Sequence, residues 1–467
     1  MIIAERDVIV IGGGPAGYVT AIRAAQLGAK VTLVEKQKLG GACLNRACIP
    51  TKFLLRSVEL YQSIRNADQY GMSVTGANID LVKLQSRKNA VISDLLTGIN
   101  DLMAMNNIEV VPGSARLAPS RQVEISPGEG LKQTLQARKV IIATGSTSST
   151  LPIPGADGPD IMDAEKILNL DYVPKSLIMI GGGVVGVELA IILAKLGCKV
   201  SLVEIMPHIL PNEDAQLTAI LERALKRDGI QIYTKTRVNK IEDAGAGKQI
   251  VISVNQVEKK LEAEAVAITV GQRPYVTDLG LDDCGIAVSD GRIKTNEHME
   301  TSVAGIYAAG DVTGRMMLAY VAMAEGRVAA ENALGRNSAI DYRVVPRCVF
   351  SLPEIASVGL TEDEATNKGY EIRCGRFRFS ANSMATILGE TRGMVKIITE
   401  QKSGQVLGVH IIGPGAVDLI AEAALAMQLG ATARDIKATM HAHPTLSEAL
   451  WEAALDVDGE AIHFQGK

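Results

Sequence analysis

Residues 11–35 read IGGGPAGYVTAIRAAQLGAKVTLVE, and residues 180–204 read IGGGVVGVELAIILAKLGCKVSLVE. At a constant offset of 169, 15 of the 25 positions are identical, so one supersecondary unit occurs twice in the chain. Each copy opens with an apolar run, Val8 to Ile11 or Leu177 to Ile180, suited to a buried parallel strand. G-x-G-x-x-G follows, as Gly12, Gly14, Gly17 and as Gly181, Gly183, Gly186. A helix-period stretch then ends at Gly28 or Gly197. A second apolar run closes on Glu35 or Glu204, each 23 residues after its first glycine.

This pattern suits a dinucleotide cradle. The glycines permit a tight turn, close approach of the backbone to a pyrophosphate, and tight helix–strand packing. The helix N-terminus offers unpaired N–H groups and partial positive charge to the phosphates. The carboxylate ending the second strand accepts hydrogen bonds from ribose hydroxyls. One G-x-G-x-x-G is weak evidence, because glycine turns also serve packing alone. Two copies with strand, helix, strand and acid in register imply two dinucleotides. After Glu204 the chain runs Ile205-Met206-Pro207-His208, with no arginine for a 2′-phosphate, so NAD is expected at the second site rather than NADP.

The remaining composition narrows the class. A chain of 467 residues exceeds one ordinary core, so roughly two to four domains are expected. Aromatics at 3% do not support a base-stacking platform, and a net charge of −4 does not attract phosphate backbones, so no nucleic-acid partner is expected. No apolar run reaches the length of a membrane span. The start, Met1 to Asp7, has neither a basic n-region nor an Arg/Ser-rich transit pattern, and a cytoplasmic protein is the expectation.

Six cysteines are too few for a secreted disulfide scaffold. Cys198, Cys284, Cys348 and Cys374 are isolated and read as small buried hydrophobes. Cys43 and Cys48 stand five apart in Gly40-Gly-Ala-Cys43-Leu-Asn-Arg-Ala-Cys48-Ile-Pro-Thr-Lys52. They read as a metal half-site, as two unrelated thiols or as a redox pair, although no second Cys/His cluster at zinc spacing accompanies them. On a regular helix, positions i and i+5 lie about 8–9 Å apart at Cα, beyond the roughly 7 Å limit of a disulfide. A bridge therefore requires an irregular turn, which Pro50 and Gly40-Gly41 help to define.

The G-G-A-C-L-N-R-A-C-I-P-T-K stretch resembles the redox-active motif of the flavoprotein disulfide reductases. Arg46-Ala47 stands where that family usually shows a small or aliphatic pair, placing a cation that favours thiolate between the sulfurs. The resemblance implies an α/β fold with two Rossmann-like domains, for FAD and NAD, and a C-terminal α+β dimerisation domain. It divides the chain into 1–147 (first FAD part, with the redox disulfide), 148–272 (NAD), 273–342 (second FAD part) and 343–467 (interface). Ile141-Ile-Ala-Thr144-Gly145-Ser146 is similar to the turn closing the first flavin segment, and Ala308-Ala-Gly-Asp311 to the second flavin fingerprint, with Asp311 on the ribityl chain. Thr269-Val-Gly271-Gln-Arg-Pro274 resembles the exit from the NAD domain. The resemblance also assigns Ala115, Leu318 and Ala319 to FAD and Val238 and Gly271 to NAD. It implies that Lys52 lies near the flavin and pairs with Glu188.

His443-Pro-Thr followed by Glu448 resembles the family's catalytic dyad. A thiol must lose its proton before attacking a disulfide, and histidine titrates in the useful range. His441 and His410 read as structural. The resemblance places the dyad against the disulfide of a second subunit, hence a homodimer. Val184, where a gating tyrosine often stands in glutathione reductases, and the absence of a C-terminal cysteine pair point to the dihydrolipoyl dehydrogenase branch. That branch implies oxidation of protein-bound dihydrolipoyl groups, with electrons passing through Cys43–Cys48 and FAD to NAD. The partner expected is a lipoylated carrier of a 2-oxoacid or acetoin dehydrogenase complex or of the glycine cleavage system. The alternative is an NAD(P)H-dependent reductase of another disulfide, a metal ion or a quinone. No resident metal is expected.

Overall fold

The computed structural model describes residues 5–128, 131–245, 247–254 and 257–463. They gather into two compact units, each assembled from separated stretches of chain. One holds residues up to Ser57, Asn78–Ser149 and Gly271–Asp341; the other holds Val58–Ala77, Thr150–Val270 and the residues from Tyr342 on. Each unit contains one copy of the repeat.

In the first unit the strand Glu5–Ile11 is central to a parallel sheet. Val31–Glu35 and Gln133–Ile142 flank it, with Glu109–Pro112 and Ile306–Ala308 outside them. The strand is apolar at every inner position because both faces are covered. Val8 and Val10 pack with Ala21, Ala24 and Ala329, whereas Ile9 and Ile11 pack in a separate cluster with Leu117, Val123 and Ile142.

The second unit repeats the design. Four parallel strands run in the order Gln231–Tyr233, Lys199–Val203, Ser176–Ile180, Ala265–Ile268. Both repeat helices, Pro15–Gln26 and Val184–Lys195, are followed after one intervening residue by a glycine at positive φ: Gly28 at +90° and Gly197 at +99°. That left-handed cap is where a Cβ is disfavoured. Toward the C-terminus lies a five-stranded antiparallel sheet ordered Arg347–Val349, Glu354–Gly359, Val406–Gly413, Met394–Glu400, Ile372–Arg378. Helices Ala416–Gln428 and Glu448–Asp456 cover it through Ile420, Ala423, Leu450 and Ala453. The fold is therefore α/β, with an α+β segment at its C-terminal end. Of the four isolated cysteines only Cys198 is fully buried; Cys284, Cys348 and Cys374 retain some solvent contact. No helix among the described residues is long and apolar enough to cross a membrane.

A buried ion pair inside the second unit was invisible in the sequence. Asp214 caps helix Ala215–Arg227 by accepting from the Gln216 N–H at 2.9 Å. Its second oxygen meets Lys396 Nζ at 2.8 Å, with both side chains under 5% exposed. Burial opposes charge on Asp214, but the Lys396 ammonium outweighs it and holds the carboxyl below its usual range. Lys396→Met is expected to cost about 3–5 kcal/mol, because Asp214 stays buried without its cation. An unchanged denaturant midpoint in that variant would contradict this account.

Candidate active site

The two glycine turns separate fold from ligand. A Cβ on Gly17 would fall 1.7 Å from the Gly12 carbonyl oxygen, and one on Gly186 would fall 1.9 Å from that of Gly181. Helix–strand packing alone demands those glycines. The middle ones differ. Gly14 (φ −70°, ψ −173°) and Gly183 (φ −73°, ψ −175°) adopt backbone angles open to any residue. A Cβ on Gly183 meets nothing within 4 Å, and one on Gly14 meets only Gly41 Cα at 3.8 Å. Neither packing nor φ explains these two glycines. They leave room for a pyrophosphate to approach the helix N-terminus.

The acids repeat the same geometry. Glu35 accepts from the Gly13 N–H at 2.6 Å and the Gln37 N–H at 2.7 Å. Glu204 accepts from Gly182 at 2.6 Å and Met206 at 2.7 Å. Each carboxylate thus staples its glycine turn to the end of the second strand, a role additional to that expected from the sequence. Further lone pairs remain for ribose hydroxyls.

The other flavin-assigned residues lie in the first unit. Thr144 Oγ1 donates to the Tyr275 carbonyl at 2.8 Å, Gly145 sits at φ +74°, and Ser146 Oγ donates to Asp311 Oδ2 at 2.6 Å. Burial holds the Asp311 carboxyl above its usual range despite that hydrogen bond. Hydroxyl donors of a bound ribityl chain would offset this cost. Ala115 lies on strand Ser114–Ala118; Leu318 precedes helix Ala319–Ala333, which Ala319 opens. The fully buried Glu325 of that helix accepts from the Gly310 N–H at 2.6 Å and fixes the turn just before Asp311. Sequence reasoning missed it; an acid in the middle of an alanine-rich helix, where Glu331 also stands, was its only signal.

The cysteine pair is built on a broken helix. Cys43 lies in helix Gly41–Arg46 and Cys48 opens helix Cys48–Arg65, with Ala47 non-helical between them (φ −141°, ψ −94°). The break removes the i,i+5 separation of a continuous helix. Pro50 occupies the first turn, where its missing N–H leaves no helical bond unmade. Gly40 and Gly41 turn the chain at φ +84° and +58°. A Cβ on Gly41 would fall 2.7 Å from Gly14 Cα, so the cysteine helix abuts the glycine turn of the first cradle. The Cys43 thiol is pushed up first by its hydrogen bond with Cys48 and then by burial, with Lys52 opposing and Asp311 adding. Cys48, Lys52 and Asp311, all in the same unit, thus act on Cys43. Cys48 sits at a helix N-terminus, which favours anionic sulfur.

In the second unit Glu188 is buried within helix Val184–Lys195, and its Oε1 accepts from the Phe350 N–H at 3.0 Å. That partner comes from a distant segment and was not foreseen. Val238 is buried on strand Thr236–Ala244 at a register shift between Val238 and Lys240. Gly271, at φ +109°, belongs to the first unit, where its carbonyl accepts from the Ser149 N–H at 3.0 Å.

His443 and Glu448 meet in the second unit, with Nδ1 2.8 Å from Oε1 and the His443 side chain 69% exposed. The other Glu448 oxygen accepts from the Thr445 N–H at 2.8 Å. Partial burial opposes charge on Glu448, but Thr445 and His443 outweigh it and hold the carboxyl below its usual range. The ionised carboxylate can only accept, so Nδ1 carries the proton it shares in that hydrogen bond and Nε2 is left as the nitrogen that can take one. Among the described residues, no group of three or more His, Cys, Asp or Glu side chains is arranged to hold a metal.

Residues 6–326 match the pyridine nucleotide-disulphide oxidoreductase family, and residues 345–454 match the dimerisation domain of that family. The chain is 43% identical to a dihydrolipoyl dehydrogenase of Bacillus subtilis, over 98% of this chain and 99% of that protein. It is 42% identical to the Thermus scotoductus dihydrolipoyl dehydrogenase, over 98% of each. Among solved structures it is similar to LpdA from Mycobacterium tuberculosis, at TM-score 0.89 and 30% identity, over 96% of this chain and 99% of that one. The chain belongs to the pyridine nucleotide-disulphide oxidoreductase family.

Proposed function

We propose that this chain oxidises dihydrolipoyl groups to lipoyl disulfide, passing the electrons through the Cys43–Cys48 pair and FAD to NAD. The observation that carries this reading is the thiol pair abutting the first glycine turn, with Asp311 and Lys52 acting on Cys43. Relatives named dihydrolipoyl dehydrogenase across nearly the whole chain select the substrate. FAD fills the first cradle (Gly12, Gly14, Gly17, Glu35, Ser146, Asp311), and NAD fills the second (Gly181, Gly183, Gly186, Glu204).

His443 takes a proton from the incoming thiol through Nε2, and Glu448 stabilises the resulting imidazolium. The substrate thiolate attacks Cys43 Sγ of the oxidised pair, and the S–S bond breaks with its electron pair on Cys48. The second substrate thiolate then displaces Cys43, leaving cyclic lipoyl disulfide and an enzyme pair reduced by two electrons. When bound, FAD and NAD supply the hydride chemistry. Lys52 offsets the negative charge that accumulates on the sulfurs, and Glu188 is its counterpart in the NAD-binding segment. In this reading the flavin domain is 1–147 with 273–342, the NAD domain is 148–272, and 343–467 forms the interface of a homodimer. The lipoyl group arrives on a carrier protein.

Anaerobic reduction of NAD by free dihydrolipoamide tests the reading, with NADP and reduced glutathione in parallel. NADH formation only with NAD and dihydrolipoamide supports it; turnover with glutathione alone overturns the substrate. A second test separates ligand from packing. Gly183→Ala is expected to fold within about 0.5 kcal/mol of the parent and to raise KM for NAD about 10-fold. Gly186→Ala, whose Cβ would collide with the Gly181 carbonyl, is expected to yield little folded protein. An unaltered KM in Gly183→Ala would remove the pyrophosphate from that turn.

A further inference from the structure

His441 stands two residues before the proposed base and has an unusual set of partners. Its Nδ1 lies 3.0 Å from the Thr439 carbonyl oxygen, and its Nε2 lies 2.8 Å from Glu422 Oε1. A carbonyl oxygen only accepts, and so does an ionised carboxylate. Neutral imidazole carries one N–H, so it would set one nitrogen lone pair against an oxygen lone pair. Only the doubly protonated ring satisfies both contacts. Glu422 keeps 39% of its side chain exposed while that of His441 keeps 5%, so water solvates the carboxylate and the ring stays enclosed.

This cation ties together elements that otherwise meet through a loop. Glu422 projects from helix Ala416–Gln428, and Thr439 ends helix Ala433–Ala438. His441 thereby anchors the start of the loop that carries His443. The far end of the loop is anchored separately. Thr445 Oγ1 donates to the Ala442 carbonyl at 2.7 Å, and the Thr445 N–H donates to Glu448. His443 is largely exposed, so little packing holds its ring. Its position depends on these two anchors and on Glu448.

We propose that His441 is a positioning residue for the dithiol half-reaction, an imidazolium that clamps the base-bearing loop to helix Ala416–Gln428 through Glu422. The inference rests on His443 acting as the base. The charged groups acting on His441 are Glu422 and, across the loop, Glu448. Both favour the cation, and its pKa is raised, chiefly by the hydrogen bond to Glu422 with burial opposing. A raised histidine pKa means the clamp is complete at lower pH and is lost as pH rises through the folded value.

The test compares His441→Gln, Glu422→Gln and the double variant with the parent and with His443→Gln. Two rates are measured across pH: dihydrolipoamide to NAD, and NADH to ferricyanide, which bypasses the thiols. The dithiol rate is expected to fall roughly 10-fold relative to the ferricyanide rate in each single variant, the scale of a slightly misplaced catalytic group. The double variant should be no worse than the singles, because both break one clamp. The alkaline fall of the parent's dithiol rate should move to lower pH in Glu422→Gln, which a purely structural role would not produce. Glu422 is surface-exposed, so that variant tests the idea even if His441→Gln folds poorly. An unchanged ratio and an unmoved alkaline limb in Glu422→Gln overturn the clamp while leaving the base intact. An unchanged ratio in His443→Gln overturns both.

Discussion

Cys48→Ser is expected to retain bound FAD while losing dithiol turnover by a factor on the order of 10⁴ or more, the scale seen when a covalent nucleophile is removed. Serine is close in size and keeps the N-terminal position of helix Cys48–Arg65, so the fold has little reason to change. It cannot make or break an S–S bond. The groups assigned to flavin are separate side chains, Glu35, Ser146 and Asp311, and their hydrogen bonds do not involve either cysteine. A yellow protein without dihydrolipoamide–NAD activity, which still passes electrons from NADH to ferricyanide, is the expected outcome. Unchanged dithiol turnover would sink the mechanism, because the exchange it describes makes and breaks an S–S bond at Cys48.

The two sulfurs are not equivalent. Cys43 is raised by Cys48 and by burial, Lys52 opposes, and Asp311 adds to the rise. Cys48 opens a helix of 18 residues, whose N-terminal N–H groups and dipole favour negative charge. In the proposed mechanism the first negative charge of the reduced pair falls on Cys48, at the helix N-terminus, and Cys43 is the sulfur that exchanges with substrate. In the same reading Asp311 offers an acceptor to flavin hydroxyls.

The repeat was legible because its sequence signature is local. Gly12 to Glu35 fall within one βαβ segment, and the contacts of Gly17 with Gly12 and of Glu35 with Gly13 span fewer than 25 residues, although Ala143 also closes on Gly12 from far along the chain. The broken helix at Ala47 was legible only as a need, since disulfide reach excluded a regular helix but did not say where the break falls. Contacts across the chain were not legible. Phe350 meets Glu188 over 162 positions, and Lys396 meets Asp214 over 182. A backbone N–H carries no residue signature, and a buried lysine on a strand looks like a surface one until the covering helix is in place. The roles of His441 and His443 show the same limit. Spacing marked His443 by resemblance, but the two acceptors around His441 come from Thr439 and Glu422, and only coordinates reveal that both are oxygens.

His443→Gln is expected to lower dihydrolipoamide oxidation by about 10²–10⁴, the range for loss of a positioned general base, with the NADH-to-ferricyanide rate preserved. The introduced carboxamide would still offer an N–H toward Glu448, so the turn through Thr445 and the start of helix Glu448–Asp456 should persist and the melting temperature should move little. The loss then belongs to proton transfer. Raising the pH supplies substrate thiolate directly, and the variant's deficit is expected to shrink as pH enters the range where free thiols ionise, about 8.5 for cysteine and upward. Glu448→Gln should give a smaller loss at neutral pH, because the imidazole remains but loses the carboxylate that orders Nδ1 and stabilises its cation. The two losses should not add in the double variant, since Glu448 acts through His443. If the deficit of His443→Gln stayed constant with pH, the residue would be holding the substrate rather than taking its proton, and the thiol would need another base.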